Sequence, residues 1–356
     1  MKRVVLCVSN DHIIDQRLHK VCLSLLSHGL NPVLVGIKKR DSLPLTKREY
    51  ECVRMPLIFN SGKLFYIELN IRLFIYLLFC KADIITANDL DTIFPCYLVS
   101  ILKKIRLVYD SHEYFTELPE LQKRKLSRAI WLKLEEFLFP KLKYVSTVGN
   151  FIAEAYRKKY NVPVLVIRNM PLKVDCSSIN LKEKIIIYQG AVNMGRGIEL
   201  MVRAFAFLPD YELWIIGEGL IFKTIQEQCR NVKNVKFLGK KTFQELPLLT
   251  VKGMLGLSLE EDLGLNYRYS LPNKIFDYVN ARIPVIVSDL PEMRALVEKH
   301  HIGQVLFERS PEALSNLISS ICEDKLKYQA LVQNCDLASR ELNWKMQEPL
   351  LMSLYQ

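Results

Sequence analysis

The sequence has no Cys-x-x-Cys pair, no His-x-x-x-His and no mixed His/Cys cluster, which argues against a structural zinc site or a dithiol centre. Its nine cysteines, Cys7, Cys22, Cys52, Cys80, Cys96, Cys176, Cys229, Cys322 and Cys335, are odd in number, unpatterned and mostly set in apolar runs. Such a set indicates reduced thiols and a cytoplasmic setting. The N-terminal KRVVLCVSN is too short in its apolar part for a secretory signal and reads as a first strand. The most membrane-like run, residues 64–80, carries Glu68, Asn70 and Arg72 and falls short of a spanning length, so it reads as an amphipathic or buried helix. No G-x-G-x-x-G and no RNA- or DNA-binding motif occurs, so no nucleic-acid partner is expected. Acid is also in deficit: 49 Lys/Arg against 38 Asp/Glu leave a net charge of +11, which suits an anionic partner such as a phosphorylated substrate or an acidic membrane.

What is present is a long α/β pattern. A chain of 356 residues, half of them hydrophobic, suits two domains of about 170 residues each. Apolar strands at 4–9, 32–37, 53–57, 83–87, 106–110, 144–148 and 164–167 alternate with helical patterns at 15–28, 64–80, 92–103, 121–142 and 151–160. Residues 170–184 break the rhythm, with Pro171, Ser177, Ser178, Asn180 and a charged end. A second series follows, with strands at 185–188, 212–216, 235–238, 254–259, 283–287 and 305–307, and residues from 311 on are helical almost to the end. The expectation is two doubly wound, Rossmann-like domains facing a cleft: 1–169, a linker 170–184, then 185–335, with 336–356 returning to the first domain.

The stretch 270–289 reads as loop, helix and buried strand. Pro272 suits a first helical turn, and Ile275, Phe276 and Val279 share one face while Asn273 and Asp277 share the other. A helix N-terminus with Lys274 beside it suits a diphosphate, and Asp277 suits ribose or sugar hydroxyls. The alternative is that Lys274 and Asp277 pair with each other on a solvated face. Upstream, the strand at 185–188 runs into QGAVNMGRG, where Gly190, Gly195 and Gly197 allow close backbone approach and Arg196 stands at a helix start. The strand at 212–216 ends in Gly217-Glu218-Gly219, a second such turn.

The succession QGAVNMGRG, WIIGEG, VKFLGK and PNKIFDYVNARIPVIVSD resembles the donor-binding half of the retaining glycosyltransferases of family four, which have the GT-B fold. SNDHIIDQR, ADIITANDLDT, VYDSHEYFTELPEL and VIRNMP resemble segments of that family's acceptor domain, and the sequence around Trp344 resembles its closing helix. The resemblance implies transfer of a sugar from a nucleotide-sugar with retained configuration, no cofactor and no obligatory metal. It implies Asp277 on the ribose, Arg196 and Lys274 on the diphosphate, and the turn at Gly239 and Lys240 facing the base, with Gly190, Glu218 and Asn273 completing the donor site. His112, with Glu113 after it, would contact donor sugar or acceptor; the alternative is a hydrogen-bonded loop histidine. Asn169 would face the donor sugar or cap a turn. Asp15 and Arg17 would line the acceptor side, or serve only as a helix-start acid and a surface base.

Two positions depart from the family pattern. Tyr269 stands where a glutamate is usual, eight residues before Asp277, and Ala191 stands where an arginine is usual. The upstream acids Glu260, Glu261 and Asp262 are candidates for the missing sugar-binding carboxylate. The D-x-D of Asp89 and Asp91 lies where the family has a helix start, so no metal is assigned to it.

Residues 121–143 mix seven Lys/Arg with Leu126, Ile130, Trp131, Leu134, Phe137 and Leu138. They suit either an anionic membrane or ordinary packing against the sheet. The resulting expectation is a cytoplasmic enzyme, peripheral on the inner face of the membrane. It would transfer sugar from a UDP- or GDP-sugar to a glycan or lipid-linked acceptor in surface polysaccharide synthesis, such as lipopolysaccharide or capsule. The alternatives are a nucleotide-sugar epimerase of the same fold and a non-catalytic nucleotide-sugar-binding protein.

Overall fold

A computed structural model describes all residues except 41, 43, 46, 173–182, 231 and 243. The chain divides into two compact units, Met1–Asn169 with Gln347–Gln356, and Met170–Met346.

The first unit holds β1 (Arg3–Cys7), β2 (Asn31–Lys38), β3 (Glu51–Pro56), β4 (Ile84–Asn88), β5 (Arg106–Ser111), β6 (Tyr144–Thr147) and β7 (Leu165–Val166). They form one parallel sheet in the order β3-β2-β1-β4-β5-β6-β7. Val4–Cys7 of β1 and all of β4 are buried, including Thr86 and Asn88, so side chains that point to either face of the sheet are covered. The chain winds outward from β1 to β3 and then returns to β4. The carboxyl ends of β1 and β4 therefore bracket the point where strand order reverses.

The second unit repeats the plan with β8 (Ile185–Gln189), β9 (Glu212–Ile216), β10 (Val235–Gly239), β11 (Leu255–Ser258), β12 (Val285–Ser288) and β13 (Gly303–Leu306). Its parallel order β10-β9-β8-β11-β12-β13 places the reversal between β8 and β11. Two apolar cores lie on its two faces, one around Met201, Phe205 and Leu213, the other around Ile275, Phe276 and Val279. Both units are thus Rossmann-like.

Several boundaries differ from the sequence reading. The helical region at 121–142 is two helices, Pro119–Gln122 and Lys125–Leu138, and the C-terminal run breaks between Pro311–Cys322 and Lys325–Glu341, where Asp324 caps the second helix. Pro272 is the residue before helix Asn273–Asn280, at φ −63° and ψ 136°, not inside it. The return to the first unit begins at Gln347 rather than at 336, because Cys335, Ala338 and Leu342 are buried in the second unit's core. Trp344 also stays there, its N–H bonded to the carbonyl of Pro171 at 2.8 Å. From Gln347 on, the chain is fastened to the first unit: Ser24 donates to Glu348 at 2.6 Å, the Arg168 N–H to the side chain of Gln347 at 2.9 Å, and Tyr355 and Thr86 share a 3.0 Å hydrogen bond. Most of the expected linker, including Cys176, lies outside the described residues.

Candidate functional site

The chemistry-bearing residues gather at the two points where strand order reverses, one group in each unit.

In the second unit three strand ends turn on glycine. Gly190, Gly217 and Gly239 follow β8, β9 and end β10 with φ of 135°, 145° and 65°. A Cβ on Gly217 would overlap the carbonyl of Gly190, so these two turns pack backbone on backbone. The Gly190 N–H donates to Ile216 and the Gly217 N–H to Gly239, which aligns the three ends. A Cβ on Gly190 would lie 3.6 Å from Lys274 Nζ, so the glycine leaves a backbone surface open beside that ammonium group.

Lys274 is 8% exposed although charged. Its Nζ donates to Glu260 Oε1 at 2.9 Å and sits 4.0 Å over the Tyr188 ring. Arg196 Nη1 reaches the same Glu260 oxygen at 3.4 Å, with its guanidinium 5.1 Å over Tyr267. Ser258 donates to the other oxygen of Glu260 at 2.7 Å. Burial works against a charged Glu260, but Lys274 and Arg196 outweigh it and hold the carboxyl below its usual range. Two cations thus share one buried anion, leaving an excess positive charge under the Gly190 turn. Arg309 ties the strand end down, donating to the carbonyls of Leu259 and Glu260 and to Ser288.

Asp277 accepts from Gln189 Nε2 at 2.9 Å, and Gln189 in turn accepts from Thr250 at 2.8 Å. Lys274 therefore turns to Glu260 and Asp277 to Gln189, which replaces the i, i+3 pairing considered above. Glu261 is separate from the Lys274 network: its N–H donates to Gly195 and its carboxylate is 3.8 Å from Arg309. Glu218, Lys240 and Asn273 are exposed, Glu218 near the Gly239 turn. Tyr269 ends the short helix Leu265–Arg268.

In the first unit Arg17 is not a surface base. It is 4% exposed and grips Asp110 with two hydrogen bonds of 3.0 and 2.9 Å, while donating to the carbonyl of Ile167. Ser146 also donates to Asp110, at 2.7 Å. His112 Nε2 is 3.0 Å from Asp110, its backbone N–H donates to Asp89 at 2.8 Å, and its Nδ1 is 3.5 Å from the Asp89 carboxylate. Burial disfavours a charged ring, but Asp89 and Asp110 prevail and raise His112 to about 9. Burial likewise opposes ionisation of Asp110, yet Arg17 and His112 keep it well below the carboxylate range. Asp89 holds a left-handed φ of 61°, which a non-glycine residue adopts at a cost. Asp91 is pushed to about 7 by burial and then by the charge of Asp89.

The other first-unit candidates have structural partners. Asp15 caps helix Gln16–Ser27 by accepting from Leu18 N–H, and Asn169 accepts from Lys20 Nζ at 2.9 Å. Glu113 is exposed, with its carbonyl accepting from Ser111. Among the described residues no group of His, Cys, Asp or Glu has the arrangement of a metal site. The sequence reading missed Tyr188, Gln189 and Asp110. Gln189 ends β8 and Asp110 is the last residue but one of β5, and that position at a strand's carboxyl end was the available signal.

Residues 173–336 match the family described as Glycosyl transferases group 1. A comparison with curated proteins found no match. Among solved structures, sucrose-phosphate synthase from Thermosynechococcus elongatus is similar at a TM-score of 0.77 and 14% identity, over 100% of this chain and 98% of that one. Anabaena Alr3699/HepE in complex with UDP is similar at 0.72 and 16%, over 99% of both chains. WaaG, a glycosyltransferase involved in lipopolysaccharide biosynthesis, is similar at 0.68 and 13%, again over 99% of both. The protein thus carries a glycosyl transferase group 1 domain at 173–336, in a chain with the two-sheet GT-B fold.

Proposed function

We propose that this protein is a retaining, metal-independent glycosyltransferase of family four, moving a sugar from a UDP- or GDP-sugar to a glycan or lipid-linked acceptor in surface polysaccharide synthesis, at the inner face of a membrane. The observation that carries this reading is the pair Lys274 and Arg196 on one buried Glu260 beside the open backbone of Gly190. A departing nucleoside diphosphate gains charge as its bond to the sugar breaks, and preorganised cations in a partly dry site stabilise that charge most. On this reading Asp277, oriented by Gln189, accepts from the ribose hydroxyls. On binding, the charged His112 would turn its Nδ1 from Asp89, 3.5 Å away, to the sugar or to the acceptor. The leaving phosphate takes the acceptor's proton, so no protein nucleophile is needed. UDP in the complex of the similar HepE supports a uridine nucleotide as the first donor to try.

The test is calorimetric titration with UDP, GDP, CDP, ADP and dTDP without added metal. One nucleotide should bind, and Arg196→Ala and Asp277→Ala should each weaken it by about tenfold or more, the worth of one charge-assisted hydrogen bond. Absence of binding by every nucleotide, or unchanged affinity in both variants, removes the donor site from this place. Sugar epimerisation without an acceptor would favour the epimerase instead.

A further inference from the structure

The net charge of the chain is very unevenly divided. The first unit has 27 Lys/Arg against 17 Asp/Glu, +10, and the second has 22 against 21, +1. The donor chemistry proposed above lies mainly in the nearly neutral unit, so it does not account for the excess.

The first unit also exposes an apolar stripe. Helix Gly62–Phe79 buries Phe65, Leu69, Leu73 and Leu77, but Leu64, Ile67, Ile71, Ile75 and Leu78 recur at spacings of three and four on its outer side. Ile67, Ile71 and Ile75 are 55%, 55% and 50% exposed. A helix that merely covered a sheet would be polar there. The surface continues onto neighbouring helices, since Gly62–Phe79 packs on Leu90–Lys103, which exposes Ile101 and Leu102, and Tyr66 meets Trp131 of Lys125–Leu138 at 5.2 Å.

Charge decides what this stripe suits. The acids of the three helices are largely spent internally. Glu68 accepts from the N–H groups of Ile58 and Phe59 and from Arg72, Asp91 is buried, Glu135 is buried against Tyr160, and Glu136 is the exposed one. Exposed bases are many on these helices and just past their ends, among them Lys63, Lys81, Lys104, Lys125, Lys133 and Lys141. An apolar row accompanied by lysines matches an anionic lipid surface, which accepts apolar side chains between its acyl chains and ammonium groups at its phosphates. A second copy of the chain would bring the same lysines against each other. No helix among the described residues is long and apolar enough to cross a membrane, so this one would lie on it.

We propose that the outer face of helix Gly62–Phe79 is the surface by which this protein lies on an anionic lipid bilayer. The inference gives a surface to the membrane attachment within the reading above. It is tested without donor or acceptor, so it can fail while the transferase reading stands.

The experiment is co-sedimentation of the full chain with vesicles of phosphatidylglycerol and phosphatidylcholine, compared with phosphatidylcholine alone. Wild type should pellet with the anionic vesicles. Ile67→Ser/Ile71→Ser/Ile75→Ser, and separately Lys63→Glu/Lys81→Glu, should each weaken binding by about tenfold or more, since apolar insertion and charge contribute together. Phe207→Ser, an exposed apolar site in the second unit, should bind as wild type. Ile71→Glu repeats the test with a single change if the triple variant melts early. Failure of wild type to bind overturns the proposal, as does full binding by a folded Ile variant. A wild-type dimer that the Ile variant renders monomeric would assign the stripe to a second copy and also overturn it.

Discussion

His112 is held between two carboxylates, Asp89 and Asp110, and the second of these is itself held by Arg17. The arrangement makes the stability of the first unit depend on pH in two directions. Asp110 is depressed in the folded state, so its contribution is present above the unfolded value of about 4 and is lost as pH falls through and below it. His112 is raised, so its contribution is full below the unfolded value of about 6.5. That contribution is lost as pH rises through about 9. Calorimetric unfolding across pH should therefore show a decline below about 4 and another from about 6.5 through about 9, with Asp91, raised to about 7 by burial, adding a loss as pH rises from about 4. His112→Gln should remove the part of the alkaline decline between about 6.5 and 9 and leave most of the acid one, which Arg17 still supports; persistence of the decline near 9 in that variant would place its cause elsewhere.

At the scale of the element, helix Gly62–Phe79 has two apolar faces with different duties. Leu73 is fully buried, and Leu73→Ala should cost about 2–5 kcal/mol through lost transfer energy and the cavity left behind. Ile71, on the exposed stripe, should tolerate Ile71→Ala within about 0.5 kcal/mol. Urea unfolding of the two variants measures the contrast directly, and equal losses would mean that the stripe is internal packing. This helix also shows what periodicity leaves open. A run that is apolar all round satisfies the pattern of a buried helix and of a surface-binding one alike, so residues 64–80 offered no choice between its faces. The basic segment after it was similarly ambiguous. Trp131 and Leu138 turn inward and Ile130 and Phe137 outward, which only the packed neighbours Tyr66 and Phe115 settle.

At the scale of the molecule, the last ten residues, 347–356, belong to the first unit although the helix before them belongs to the second. Leu351, Met352, Leu354 and Tyr355 are almost wholly buried. Removing 347–356 should lower the unfolding temperature of the first unit markedly, each lost side chain being worth up to about 1.5–3 kcal/mol of burial. Nucleotide binding, which the second unit is proposed to provide, should persist in the truncated chain. Calorimetry with and without the nucleotide checks both parts, and an unchanged unfolding profile would show that the tail is dispensable.

The sequence by itself determined the two parallel sheets, because alternating β-branched runs and helical periods leave little other choice once strands are buried on both faces. It also determined the glycine turns after β8 and β9, since a positive φ and close backbone approach exclude most other residues there. Only the tertiary structure decided which charges meet. Glu260 stands 64 residues from Arg196 and 14 from Lys274 in the chain, and sheet order brings β11 beside β8, so that one carboxylate serves both cations. Arg17 reads as a surface base until β5 delivers Asp110 to it. Ion pairing across a sheet depends on strand order and register, which local pattern does not encode.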